Sequence, residues 1–374
     1  VTSERGEAAA VPGLTRRADA GRDEVPDGGA ARHGGKAPPS AASTRSPVTQ
    51  RAWLPWAVGG LVLAACFGLQ SQLYAGQERT VATVFMFVGL AQAWNLIGGY
   101  TGYACFGQVV FFGLGGYTTA ALMAHAHVSF WLALPASGLL AAIWAALIGL
   151  PLLPLKGHYF AVATLGVAEG TREVVTNLPS LTGGGAGISI PTVGADATTG
   201  YLGNDGFYVL FLLLAAVSVL VVAIVSASKL GFALRAINQD EDAAASLGVH
   251  TTRTKVSVFA LSGFLTGLLG AAYGFQQVTI FPARLFDVNF TVLMVIMVII
   301  GGSGTVVGPV IGAAFLQFVS EYLRQHFTEA HPFILGAIVI VAVILLPQGV
   351  VSYAGSAWRN RDFSLLDNIR KYRL

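Results

Sequence analysis

Side chains able to do chemistry are sparse in this sequence. Glu169, Arg172 and Glu173 put three ionisable groups within one helical turn of an otherwise apolar run. Arg172 can pair with Glu169 at i+3, and an ionisable group inside an apolar run is a functional hypothesis by default. The cluster lies near one end of its run, so an interface-facing ion pair fits equally well. The glycine-rich GGSGTVVG at 301–308 has the look of a phosphate cradle. No Lys followed by Ser or Thr comes after its last glycine, and no strand and helix of a soluble domain surround it, which excludes a P-loop. Any nucleotide must be handled by another chain. The seven histidines are scattered, without HExxH or paired spacing, and Cys66 and Cys105 both lie in apolar runs where packing accounts for them. No metal ligand set is visible, and no nucleophile, base and orienter occur together, so an enzyme is the reading with least support.

The richest charged stretch is KLGFALRAINQDEDAAASLGVHTTRTK at 229–255, which separates two strongly apolar runs. Asp240 is a good helix N-cap, Glu241 and Asp242 place negative charge on the first turn, and Gly248 supplies a stop where a left-handed residue is wanted. That spacing predicts a surface helix of roughly seven residues, on the order of 10 Å. Ala243, Ala244 and Leu247 fall at i, i+1 and i+4, so one face is small and apolar and the other acidic. Such a helix suits a shallow groove on a partner protein; a plain connector is the alternative.

The elements that must hold these groups are set by composition. Of 374 residues, 54% are hydrophobic and only 11% charged, whereas a soluble globular chain carries about a quarter charged. With a mean hydropathy of +0.65, the chain reads as an integral membrane protein, an all-α bundle. The 46 glycines fit helices packed through small faces. From Trp53 to about Val351, apolar runs long enough to span follow one another. They fall near 53–73, 80–97, 104–124, 130–154, 158–178, 206–227, 256–279, 288–303, 308–327 and 332–350. About ten spans are expected, with eight the rival count. Residues 1–50 hold almost no large apolar side chains and read as a disordered cytoplasmic tail; they lack the apolar core of a secretory signal. Residues 51–352 form the membrane domain, and 353–374 a basic cytoplasmic tail. Lys and Arg concentrate in the two tails, at Lys156 and in 229–255, which puts both termini and that loop inside the cell. The segment 179–205 then becomes the longest external loop. Its glycines predict turns, a short helix or a hairpin.

Glycines also punctuate the apolar runs. NLIGGYTGYACFGQVVFFGLGGY at 95–117 includes Gly102 and Gly113 and three uncharged polar groups at membrane depth, Gln92, Asn95 and Gln108, counting the residue just upstream. Interrupted glycine-rich segments often line transport pathways, and polar groups at such depth need partners in protein or cavity water. Pathway lining and interhelical hydrogen bonding are both compatible with these five residues. Gly263, Gly267, Gly270 and Gly274, and Gly304, Gly308 and Gly312, predict close helix crossings along single faces. The regions 98–116 and 301–312 are where related halves of an inverted repeat would show, although their self-similarity is weak.

Taken in order, NLIGGYTGYACFGQVVFFGLGGYTTA at 95–120, HYFAVATLGVAEGTREVVTNLPSLTGGGAGI at 158–188, GFALRAINQDEDAAASLGVHTTRTKVSVFALSGFLTGLLGAAYG at 231–274 and GGSGTVVGPVIGA at 301–313 resemble the permease family of branched-chain amino-acid ABC importers. EDAAASLG is similar to that family's version of the cytoplasmic coupling helix. The resemblance covers about 53–350. It implies an inner-membrane subunit that pairs with a homologous second permease, binds two cytoplasmic ATPases carrying ATP and Mg, receives substrate from an extracytoplasmic binding protein, and touches membrane lipid but no nucleic acid. It implies no cofactor in this chain, and Asp240 to Gly248 as the coupling element. Relatives that import urea or short amides keep those substrates open, and a self-contained secondary transporter is the competing class. Cys105 and Gln108 stand where the family more usually has Ser and His.

Overall fold

The computed structural model describes residues 54–72, 74–155, 157–192, 199–327, 330–345, 349–351 and 353; the expectations for the 1–50 tail, for Lys156 and for the C-terminal tail lie outside them, apart from Tyr353. The helices in chain order are α1 (Leu54–Leu69), α2 (Ala75–Thr101), α3 (Gln108–His125), α4 (Phe130–Leu152), α5 (His158–Thr176), α6 (Pro179–Thr182), α7 (Gly203–Ala227), α8 (Lys229–Gln239), α9 (Glu241–Ser246), α10 (Thr251–Gln277), α11 (Pro282–Leu285), α12 (Val288–Gly301), α13 (Val307–His326) and α14 (His331–Leu345). Each apolar run coincides with one of them. The fold is all-α and polytopic. Gly76–Thr101, Phe130–Leu152, Gly203–Ala227, Thr251–Gln277 and Pro282–Gly301 are each long and apolar enough to cross a membrane.

Helix α10 is the axis of the bundle, packed against α3, α4 and α2, and α2 is sandwiched between it and α7. The expected glycine face makes this possible. A Cβ at Gly115 on α3 would lie 2.1 Å from the carbonyl oxygen of Gly267, so backbone meets backbone directly at the α3–α10 crossing. On the opposite flank Gly263 and Gly267 admit Ala145 and Ala141 of α4. With lipid as solvent the apolar surface itself gives little reason for helices to associate, and this closeness supplies dispersion contacts instead.

Two breaks interrupt the apolar helices. Helix α2 ends where Gly102 adopts φ 75°, a left-handed conformation that a Cβ would disfavour. Helix α12 ends at Gly302, and the chain turns through Gly304, whose φ is 69°, before α13 begins. Here the expected face of Gly304, Gly308 and Gly312 needs correction. Gly304 sits in the turn, and it is Gly301 with Gly308 and Gly312 that brings α12 and α13 together, because the helix had already ended.

The 179–205 loop contains the short helix α6 and a strand, β1 (Ile188–Ser189), antiparallel to β2 (Thr279–Ile280) just after α10. Ile188 pairs with Ile280 and Ser189 with Thr279. The hairpin partner is therefore distant in sequence, because the buried Ile188, Ile190 and Ile280 find their apolar neighbours at the end of the central helix.

Candidate functional site: the α8–α9 corner and the buried polar groups

The 229–255 segment folds as two helices meeting at a corner. Helix α8 turns Gly231, Leu234 and Ile237 inward and leaves Phe232 and Arg235 exposed. Asp240 then caps α9 as expected: its Oδ1 accepts from the backbone N–H of Asp242 at 2.9 Å and of Ala243 at 3.0 Å. Gly248 takes φ 89°, and the N–H of Val249 returns to the carbonyl of Ala244 at 3.1 Å, closing the helix.

The division of faces differs from the expectation. Ala244 is buried, Ala243 is exposed, and Leu247 stands 85% exposed at the tip. Asp242 faces outward, but Glu241 turns back toward the bundle, so the acidic face is split. The reason is Lys255, one turn into α10, whose side chain is only 2% exposed. Its ammonium donates to Glu241 Oε1 at 2.6 Å, to the Leu153 carbonyl at 2.7 Å and to the Tyr103 hydroxyl at 3.0 Å. An ammonium has three N–H donors, and here each has an acceptor, which a buried cation requires. The Tyr103 hydroxyl donates in turn to Glu241 Oε2 at 2.6 Å, closing a ring of three side chains. Burial, and after it the Glu241 carboxylate, raise the Tyr103 phenol above its ordinary value. Sequence reasoning missed Lys255, counting it as one more cytoplasmic charge, and Tyr103, lost among glycines. No local signal distinguishes either.

The five candidate pathway residues part company. Asn95 Nδ2 donates to the Thr305 carbonyl at 2.8 Å while its Oδ1 accepts from Gly304 N–H at 2.9 Å, and Gln92 donates to the Val306 carbonyl. Both hold the α12–α13 turn against α2. Gln108 donates from Nε2 to Ser262 Oγ at 2.8 Å and to Thr266 Oγ1 at 2.6 Å. Those hydroxyls spend their own protons on the Ala93 and Ser262 carbonyls, which fixes the amide nitrogen as the end that faces them. The Oε1 atoms of Gln92 and Gln108 are buried without a partner among the described residues. Gly102 ends α2 beside Asn238 of α8, and Gly113 lies against the Phe286 ring. Within this chain Gln92 and Asn95 bond the turn between α12 and α13, and Gln108 bonds two hydroxyls of α10.

Arg172 pairs with Glu169 at 2.9 Å, as the i+3 spacing predicts, and with Glu173 at 3.4 Å. All three stay partly exposed on α5. A groove of about 900 Å³ opens between α3, α4 and α5, lined by Leu114, Tyr117, Ile143, Trp144, Val167 and Val174 among others. No Asp, Glu, Lys or Arg lines it, and His125 at the end of α3 is its one ionisable side chain besides the Tyr117 phenol. Among the described residues no cluster of His, Cys, Asp and Glu is arranged to hold a metal.

Residues 57–343 match the model of the family described as branched-chain amino acid transport system / permease component. The chain is 31% identical over 329 residues to the high-affinity branched-chain amino acid transport system permease protein LivM of Escherichia coli K12, covering 82% of this chain and 76% of that protein. To its namesake in Salmonella typhimurium it is 31% identical over 314 residues, 78% of this chain and 73% of the relative. A probable LivM permease of Methanocaldococcus jannaschii is 25% identical over 192 residues, 51% and 55% of the two chains. No solved structure matches.

Proposed function

We propose, for a chain that belongs to the family of branched-chain amino acid transport permeases, a division of labour between a substrate pathway in the membrane and a docking corner at its cytoplasmic surface. The chain is a multi-pass membrane permease subunit of an importer. Its cargo is a branched-chain or related hydrophobic amino acid, delivered by an extracytoplasmic binding protein and passed through a pathway completed by a homologous second permease. Energy comes from ATP bound with Mg on two cytoplasmic ATPase subunits, since this chain carries no P-loop. Both termini and the 229–255 segment lie on the cytoplasmic side.

The observation that carries this reading is the shape of α9. A capped helix of six residues projects a side chain, Leu247, that is 85% exposed, while its other face is tied into the bundle through Ala244 and Glu241. An isolated large apolar side chain on a short rigid projection is suited to a pocket on a soluble partner. The exposed Asp242 at the start of the same helix adds charge that a basic rim would complement.

The test is copurification of the ATPases with Leu247→Asp and wild-type chains, together with ATP-dependent leucine uptake in proteoliposomes containing all subunits. Leu247→Asp should lose most of the bound ATPase and the uptake with it. Full retention of both would remove the docking role, and uptake driven by an ion gradient without ATP would favour a secondary transporter.

A further inference from the structure

We propose that the ring of Glu241, Lys255 and Tyr103 is the joint through which movement of α9 reaches the break between α2 and α3, and that Tyr103 is its positioning residue; this rests on the reading of α9 as the ATPase docking helix. The ring gathers four elements at one point. Glu241 belongs to the first turn of α9, Lys255 to the start of α10, Tyr103 to the α2–α3 break, and the Leu153 carbonyl to the end of α4.

Lys255 is buried, and the cost of leaving a buried ammonium without its carboxylate couples the position of α9 to the ring. The α2–α3 break is otherwise held by neighbouring side chains. Phe106 N–H donates to Thr164 Oγ1 on α5 at 3.1 Å, Trp94 Nε1–H on α2 donates to the Cys105 carbonyl at 2.7 Å, and at the start of α3 Val109 N–H donates to Thr291 Oγ1 on α12 at 3.0 Å. The Tyr103 ring also meets Phe160 of α5 edge-on, with centroids 5.2 Å apart. A displacement of α9 therefore has a short, polar and directional route into a non-helical segment that touches α5 and α10 and leads directly into the α3 turn held by α12. Beside it Asn238, at the end of α8, donates to the Gly99 carbonyl at 3.5 Å and fills the space over Gly102. That second contact brings the same corner to the same break.

The experiment uses the intact importer in proteoliposomes and reads ATPase copurification, ATP hydrolysis stimulated by loaded binding protein, and leucine uptake. Tyr103→Phe removes one hydroxyl and keeps the ring that packs on Phe160. It should retain copurified ATPases and hydrolysis while uptake per ATP falls about tenfold. Hydrolysis and uptake falling in step, or both staying at wild-type level, would overturn the joint. If Tyr103→Phe does not assemble, Glu241→Asp, which keeps the negative charge for Lys255 and shortens its reach to the Tyr103 hydroxyl, is read the same way. The parallel Leu247→Asp measurement separates the two ideas: intact copurification there sinks the docking reading, whereas a coupling ratio unchanged in Tyr103→Phe sinks only the joint.

Discussion

The side-chain amide of Asn95 grips the backbone at Gly304, accepting from its N–H at 2.9 Å while its nitrogen donates to the neighbouring Thr305 carbonyl at 2.8 Å. Helix α2 thereby supplies, from 209 residues away, the partners that the end of α12 cannot find in its own backbone. In an apolar surrounding every freed N–H and C=O must be met, and a side-chain amide offers one donor and one acceptor at the needed separation.

Asn95→Ala should therefore destabilise the chain by on the order of 1–2 kcal/mol, because two part-buried backbone groups lose their partners. The measurement is the shift in thermal midpoint in detergent, with Asn95→Asp as comparison. The aspartate keeps the acceptor for Gly304 but loses the donor to Thr305, and should rescue little. A midpoint unchanged in Asn95→Ala would show that the turn holds itself.

Gly115→Ala should cost about 1–3 kcal/mol, since its new Cβ would press on the Gly267 carbonyl and neither backbone can yield alone. Gly166→Ala on α5 is the control. Nothing lies within 4 Å of its Cβ position, and Ala in a helix is favoured over Gly by about 0.5–1 kcal/mol. The two variants, compared by thermal unfolding of the assembled permease, should move in opposite directions.

Removing both members of the buried ion pair should cost less than the two single removals added together. Lys255→Met and Glu241→Gln singly should each destabilise by about 3 kcal/mol, the low end for a buried pair because Glu241 keeps 16% exposure. The double variant should be less destabilised than their sum. A strictly additive double-mutant cycle would mean that the two side chains do not sense one another.

The Tyr103 phenol carries its own pH signature. Its folded value is raised above the ordinary 10.0 by burial and by Glu241, so the neutral form is favoured in the fold. A raised value gives a contribution fully present below the unfolded phenol value and lost as pH climbs above it toward the folded one. The stability gap between wild type and Tyr103→Phe should thus be constant up to about pH 10 and narrow above it. Thermal midpoints of the two proteins across that range test this, and a gap closing below pH 9 would assign the effect to another group.

How far the sequence reached depended on the range of the interaction involved. The all-α membrane fold, the positions of its helices, the Asp240 cap and the Gly248 stop were legible because each follows from composition or from residues within a turn of one another. The pairing of Arg172 with Glu169 was legible for the same reason. The inward turn of Glu241 was not, because it answers to Lys255 and Tyr103, which the tertiary fold brings together with α9 from 14 and 138 residues away. Gln92, Asn95 and Gln108 were visible as polar groups needing partners, but which partners they bond turned on Thr305, Val306, Ser262 and Thr266, brought close only by the fold. The β1–β2 pairing and the place of Gly304 in a turn likewise depended on distant segments. Periodicity and capping are local and survive in a string of letters; the acceptors for a buried charge are chosen by packing, and only the folded bundle decides which ones lie within 3 Å.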